Sequence, residues 1–401
     1  MLPETRMKDF TPPPPTIPRV PGHYEDWLMK PFVEKSDAKL KQASRLMSVD
    51  ALRGFDMFLI IGGGAIFNGF ANAVGGPFLE ALRPQFAHVR WAGLHFWDLI
   101  WPLFMFIVGV SIPLSIERRR AMGAAKRTLY LHALRRAGIL FVLGMMLQGG
   151  LLEWDLAKLR PCFSVLHGIA AGYLIAVAVV MELRPKMQGI VIAVFLLLYW
   201  ALLELVPVPG LGAGVLTREG NLAIWVDRMM LGRFHAGPNT WFLSYLGFAS
   251  SVLLGALAGR LLMSSGAEKT KVLALTGAGV ACVALGLLWS LGFPIIKLLW
   301  TSSFVLVSGG FGFLMLALFY WIIDVQGYRR WAFCFTVIGM NSLAAYVATS
   351  LFNFKLIGNI FVGKLLPRIP PWAGFVEASA AAAVVWLLLY WMYRTKTFVK
   401  L

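Results

Sequence analysis

The sequence predicts an all-α polytopic membrane protein of about ten transmembrane helices with both termini cytoplasmic, and three observations lead there. Hydrophobic residues fill 58% of the 401 positions and charged residues only 14%, whereas a soluble domain carries about a quarter charged. Apolar runs of 18 residues or more recur along most of the chain, each long enough to cross a hydrocarbon core of roughly 30 Å as a helix. Lys and Arg are shared unevenly between alternate connections, which sets orientation. Together these exclude a soluble globular enzyme, a disordered tail protein and a disulfide scaffold.

The expected spans are 51–73, 97–116, 131–151, 161–181, 188–206, 241–262, 271–292, 301–323, 332–353 and 373–393. Unpaired backbone groups are not tolerated in lipid, so each is helical; no strand-like alternation suggests a barrel. The first contains Gly62-Gly63-Gly64, which lets a neighbouring helix approach closely. It also holds Asp56, a costly intramembrane carboxylate expected to pair with Arg53 three residues earlier. The second starts at Asp98, which can cap free N–H groups and complement the helix dipole. The third carries Arg135 and Arg136 just inside its start, and Glu204 lies near the end of the fifth. Cys162, Cys282 and Cys334 fall inside apolar runs and read as core thiols, so no disulfide set or metal site is expected.

Net charge is +17, an excess that serves orientation and contact with anionic membrane lipid rather than nucleic acid. With the ten spans in place, 26 Lys and Arg fall on the side of the termini and 11 on the other. The heavier side is cytoplasmic by the positive-inside rule. Residues 1–44 read as a Pro-rich, basic cytoplasmic tail without a signal-peptide core, with Pro12–Pro15 extended; residues 45–401 form the transmembrane domain. The 22–44 stretch reads as a surface segment.

Two connections on the lighter side, 74–96 and 207–240, are longer than geometry needs and rich in aromatic and ionisable residues, which favours function. The first ends in His88-Val-Arg90-Trp91-Ala-Gly93-Leu-His95-Phe-Trp97-Asp98. A titratable imidazole just outside the bilayer suits proton transfer, although an interfacial His also serves as a structural hydrogen-bonding residue. Trp91, Trp97 and Trp101 suit sugar stacking or interfacial anchoring. In the second loop Asn221, Asp227, Arg228 and His235 can line a pocket or fold the loop. His23, His132 and His167 read as tail, inner-surface and buried structural residues.

The string His88-x-x-Trp91-x-Gly93-x-x-x-x-Asp98-x-x-x-Pro102-x-Phe104-x-Phe106-x-x-Gly109 resembles the heparan-α-glucosaminide N-acetyltransferase family of transmembrane acyltransferases. The resemblance begins at Ser48-Val-Asp50-Ala-Leu-Arg53-Gly54. It continues through Gly220-Asn221, Val226-Asp227-Arg228, Pro294-Ile-Ile-Lys297-Leu-Leu-Trp300-Thr-Ser-Ser-Phe304, Gly339-Met-Asn341-Ser342 with Tyr346, and Met392-Tyr393-Arg394. It spans about 45–400 in the family's order.

The resemblance implies transfer of an acetyl group from cytosolic acetyl-CoA to an amino sugar across the membrane. It places the family's essential histidine on His88, adds Lys297 and Asn341 as substrate contacts beside Trp91, Asn221, Asp227 and Arg228, and suggests a homodimer. His88 can remove the proton of an amino sugar or take the acetyl group itself. Asp98 can orient that imidazole if the loop folds back. Arg53, Arg135 and Arg136 are candidate contacts for the phosphates of acetyl-CoA, with lipid phosphate as the competing partner. Ile60-Ile61 stand where the family often has an Asn, the Arg160–Gly168 stretch lacks a common Gln-Arg or Gly-Arg pair, and the 74–87 stretch is longer than in the animal enzymes. These departures imply a bacterial-type, inner-membrane member acting on a periplasmic glycan. The rival readings are a transporter or flippase for a lipid-linked sugar, and a family member without activity.

Overall fold

The structure, a computed structural model, describes residues 46–399; the expected tail over 1–44, with its Pro run and 22–44 stretch, lies outside the described residues. Helix α1 is Met47–Val74, α2 Phe96–Ala121, α3 Lys126–Leu147, α4 Val165–Glu182 and α5 Pro185–Leu205. A short helix, α6 (Leu222–Leu231), lies in the second long connection. Then come α7 (Tyr245–Met263), α8 (Glu268–Ser290) and α9 (Ser302–Val325). Two segments, α10 (Phe333–Met340) and α11 (Ser342–Leu351), meet at a 75° bend; α12 (Phe354–Val362) and α13 (Pro370–Arg394) complete the bundle.

Among the described residues nine helices are long and apolar enough to cross a membrane, or ten if α10 and α11 make one broken span. No β-strand occurs among them, only isolated bridges. The chain is an all-α integral membrane protein. The straight helix expected over 332–353 is instead broken at Asn341, whose backbone (φ −128°, ψ 35°) leaves the helical region. Its side chain is the reason. Asn341 Nδ2 donates to the Thr397 carbonyl (3.2 Å) and its Oδ1 accepts from the Val399 N–H (3.1 Å), tying the break to the C-terminal segment.

The apolar windows of α2 and α7 are 72% buried inside the protein and that of α8 only 17%, so α2 and α7 form the centre and α8 the lipid-facing rim. Small residues make the centre tight. A β-carbon at Gly109 of α2 would collide with the Val252 carbonyl of α7, and one at Gly255 of α7 with the Phe106 carbonyl of α2. This is the close helix approach that lipid-embedded bundles use for cohesion.

Helix α1 widens into a π-turn over Leu59–Gly63, and at Gly64 the Trp97 ring occupies the space a side chain would need. The expected Arg53–Asp56 pair does not form. Arg53 donates instead to Asp50 Oδ1 (3.2 Å) and Ser111 Oγ (2.8 Å), because helical side chains lean towards the N-terminus of their own helix. Asp56 is fully buried and neither carboxylate oxygen has a hydrogen-bond partner among the described residues.

The two ends of the bundle differ. One, which we term the basic end, gathers Arg118, Arg119 and Arg120 at the close of α2, with Lys126 of α3 paired to Glu182 of α4 at 2.7 Å. The other end carries the long connections and His88.

Candidate active site

After α1, Gly75 and Gly76 take positive φ values (66° and 101°) that turn the chain back. Phe86 then stacks on Phe67 of α1 (3.9 Å between ring centres), and Gln85 Oε1 accepts the Phe96 N–H at 3.0 Å. The loop therefore folds over its own helix start, as orientation of His88 by Asp98 requires. Asp98 is the cap. Its Oδ2 accepts from the N–H groups of Val89 (3.2 Å) and His95 (3.1 Å), while His95 Nδ1 contacts the Ala87 carbonyl at 2.9 Å.

The second Asp98 oxygen organises the site. Oδ1 lies 2.8 Å from His88 Nδ1 and 3.2 Å from Lys297 Nζ, and that ammonium is 2.9 Å from the same imidazole nitrogen. The Asp98 side chain is 1% exposed, Lys297 14% and His88 56%. A buried ion pair thus supports an imidazole whose far edge is open, and His88 Nε2 has no hydrogen bond among the described residues. Burial pushes the Lys297 amine down from its ordinary lysine value, and Asp98 pushes it back up.

Lys297 arrives from the connection between α8 and α9. Gly93 N–H donates to the Ile295 carbonyl (2.9 Å) and Ala92 bridges Ile296, pinning that connection against the His88 loop. A tight turn follows, in which Trp300 adopts φ 57° and its N–H donates to the Lys297 carbonyl at 3.0 Å. A bulky residue with left-handed backbone is strained. Trp300 is held there by burial and by its indole N–H donating to Ser251 Oγ at 3.0 Å. Nothing in the local sequence announced this turn, so the meeting of Lys297 with Asp98 had no sequence signal beyond its place in a motif.

The remaining candidates divide. Trp91 flanks the cluster, with Nε1 donating to the Leu216 carbonyl at 2.8 Å, and so joins the two long loops. Asn221 and Asp227 are fully buried and turned towards backbone. Asn221 Oδ1 accepts from Ile224 N–H and its Nδ2 donates to the Thr217 carbonyl, both at 2.9 Å. Asp227 accepts from the N–H groups of Trp241 (2.8 Å) and Phe242 (3.0 Å); burial pushes its carboxyl up to about 6 against the pull of those donors. Arg228 is exposed beside His235, whose imidazole is pushed down first by burial and then by that charge.

Asn341 does not join the cluster. Gly339 packs on Asp50 near the start of α1, whereas Trp97 meets Gly64, a separation along α1 of about 21 Å at 1.5 Å per residue. Arg53 lies at that same far end. Arg135 is exposed on the outer face of α3, while Arg136 turns inward over the Tyr173 ring at 4.7 Å.

The chain matches the catalytic-domain model of the heparan-alpha-glucosaminide N-acetyltransferase family over residues 45–297. It belongs to that family. The matched stretch contains all three members of the cluster, from His88 to Lys297, and leaves Asn341 outside. Among curated proteins it is similar to heparan-alpha-glucosaminide N-acetyltransferase of Homo sapiens, at 28% identity over 89% of this chain and 60% of that protein. The protein of that name from Mus musculus is 27% identical over 91% of this chain and 62% of its own length. The chain thus spans about three fifths of the relatives it matches.

Proposed function

We propose that the protein is an acetyl-CoA-dependent N-acetyltransferase moving an acetyl group from the cytosolic side to an amino sugar of an extracytoplasmic glycan. Residues 45–401 are the transmembrane acyltransferase domain, embedded in a bacterial inner membrane with both termini cytoplasmic. Family membership supports the reaction class, and the 26-to-11 split of Lys and Arg supports the orientation. The observation that carries the reading is an open imidazole on a buried carboxylate–ammonium pair, at the end of the bundle opposite the basic one.

An amino sugar is largely protonated near neutral pH and becomes nucleophilic only when that proton leaves. An imidazole, with an ordinary pKa of about 6.5, removes it at working pH. The free amine then attacks the thioester carbonyl, the C–N bond forms and the C–S bond breaks. The coenzyme leaves as a thiolate that takes up the second proton shed by the attacking nitrogen, and the first proton passes from the imidazolium to water. In the second route Nε2 attacks the thioester first and an acetyl-imidazole passes its acetyl group to the amine. Both routes need an unprotonated Nε2.

Lys297 and Asp98 bear on that requirement. When the His88 Nδ1–H donates to Asp98, Nε2 keeps its lone pair; when Lys297 donates to Nδ1 instead, neutral His88 carries its proton on Nε2 and is inert as a base. Lys297 donating to Asp98 Oδ1 neutralises the buried carboxylate, and the first arrangement is the one this reading requires. In this reading Trp91, on the same loop as His88, offers the acceptor a stacking face.

The test is acetyl transfer by purified protein from labelled acetyl-CoA to a panel of amino sugars, beside His88→Ala. Label on an amino sugar, lost in that variant, is the expected result; undiminished transfer would remove His88 from the mechanism. Label held on the protein without acceptor would select the acetyl-imidazole route. A transporter would be expected to break matching helices in both halves; among the described residues one apolar helix pair, α10–α11, is broken by more than 40°.

A further inference from the structure

Helices α2, α4, α7 and α9 all start at the His88 end, and their starts meet around one aromatic cluster. Trp101 stands one turn after Asp98 in α2, Phe248 lies in the first turn of α7, and Trp300 just precedes α9. The Trp101 ring centre is 4.7 Å from that of Trp300, 5.6 Å from Phe248 and 6.3 Å from Trp241, which lies just before α7. Gly168, in the first turn of α4, leaves its face to the Trp101 and Phe248 rings. Trp101 follows Asp98 by three residues and Trp300 follows Lys297 by three. The cluster therefore sits one turn inward of His88, Asp98 and Lys297.

Three indoles share this niche, and one of them is satisfied: Trp300 Nε1 donates to Ser251 Oγ at 3.0 Å. Trp101 Nε1 and Trp241 Nε1 are both buried without a hydrogen-bond partner among the described residues, and Trp241 is 1% exposed. A buried indole N–H ordinarily finds an acceptor, because an unpaired one gives up its water without compensation. The neighbouring carboxylates do not serve these two. Asp98 is taken up by His88, Lys297 and the N–H groups of Val89 and His95. Asp227 is taken up by the backbone N–H groups of Trp241 and Phe242. Each of the four helix starts adds the positive end of its dipole. Trp101 itself is partly exposed although its N–H is not, so the niche has an open side.

We infer that the indole N–H groups of Trp101 and Trp241 hold the carbonyl oxygen of the acetyl group during transfer. Aromatic walls and uncharged donors suit an acceptor oxygen carried on a small apolar group, which is the chemistry of an acetyl thioester. When the attacking nitrogen reaches the carbonyl carbon, the C=O π pair moves onto oxygen. As that pair returns, the C–S bond breaks and its electrons leave on sulfur. Two fixed donors among four helix starts meet a charge that exists only at that moment, and they are in place before it appears. This role rests on the acetyl-transfer reading above.

Trp101→Phe and Trp241→Phe keep an aromatic ring and remove the N–H; Trp331→Phe, at the basic end, is the control. Purified full-length protein in detergent is assayed for kcat and KM of acetyl transfer, with thermal unfolding on the same samples. Each of the first two variants is expected to lose about tenfold or more in kcat with KM near that of the parent, and the control to lose nothing. The second readout is the infrared C=O stretch of acetyl-CoA, labelled with ¹³C at the carbonyl and bound to His88→Ala. It is expected to lie below the stretch of the free thioester and to move back up when either indole is replaced. Where a Phe variant does not unfold cooperatively, β-(3-benzothienyl)alanine at the same position keeps the bicycle and lacks only the N–H. Unchanged kcat in folded variants, or a bound stretch indifferent to both replacements, overturns the niche and leaves transfer at His88 standing. A parent that transfers nothing removes the reaction reading, and the stretch of bound acetyl-CoA then decides the niche by itself. A parent that neither transfers nor binds acetyl-CoA overturns both.

Discussion

Two histidines sit beside helix starts and have opposite fates. His167, in the first turn of α4, is 2% exposed. Its Nδ1 accepts from the N–H groups of Phe163 (3.3 Å) and Ser164 (3.2 Å), and its Nε2 donates to the Phe141 carbonyl at 3.1 Å. There the imidazole completes a capping box, taking the N–H of Ser164 while Ser164 Oγ takes that of Leu166. At the start of α2 a carboxylate takes the capping task, and the imidazole of His88 leans on that carboxylate with one nitrogen free. The difference teaches that a polar side chain is available for chemistry only when another group satisfies the backbone around it. Asp227, turned inward on two N–H groups, repeats the lesson for a carboxylate.

The sharpest way to break the contrast is to remove both rings in turn. His88→Ala is expected to lower acetyl transfer by about 10²–10⁴-fold while leaving the thermal midpoint in detergent near that of the parent. Equal loss of stability would make His88 a structural residue like His167. Asp98→Asn, which presents an amide to donors on both sides, is expected to reduce the rate by about 10²-fold or more, with a fall in stability measured on the same samples. Lys297→Gln should reduce kcat by about 10–100-fold, and Lys297→Arg should recover part of it; a change in KM alone would make Lys297 a substrate contact.

His167→Ala is expected to destabilise by about 1–3 kcal/mol through the orphaned N–H groups, read from unfolding in detergent, with transfer per folded molecule unchanged. The smallest effect concerns Asp227. Its carboxyl is raised from 3.8 to about 6, so between those values the folded protein holds a proton that the unfolded chain has released. Stability therefore falls as pH rises through that window and levels off above it. Asp227→Asn should remove this part of the slope in melting temperature against pH, and an identical slope in both proteins would refute the assignment.

Much of the fold was legible because lipid admits so few backbone solutions. Length and hydropathy located helices wherever 18 apolar residues ran together, and the glycines of α2 and α7 are where close packing is seen. The bend at Asn341 was hidden, since its cause is a pair of hydrogen bonds to residues 397 and 399. Arg53 was read towards Asp56 by spacing alone, whereas side-chain direction sends it to Asp50. At the site, His88 and Asp98 stood out because they lie ten positions apart where one loop runs into a helix. Lys297 stood about 200 positions away and was placed with the substrate contacts, and Trp241 gave no sign of sharing a niche with Trp101.

By itself the sequence determined the fold class, the approximate spans and the loop in which chemistry was sought, because hydropathy and charge act locally and the bilayer reads them one segment at a time. Which polar groups remain free was decided only by the tertiary structure. Most buried polar groups must find a partner, and whether Asp98 meets His88 and Lys297 while Asp227 and His167 meet backbone depends on which distant segments arrive within about 3 Å.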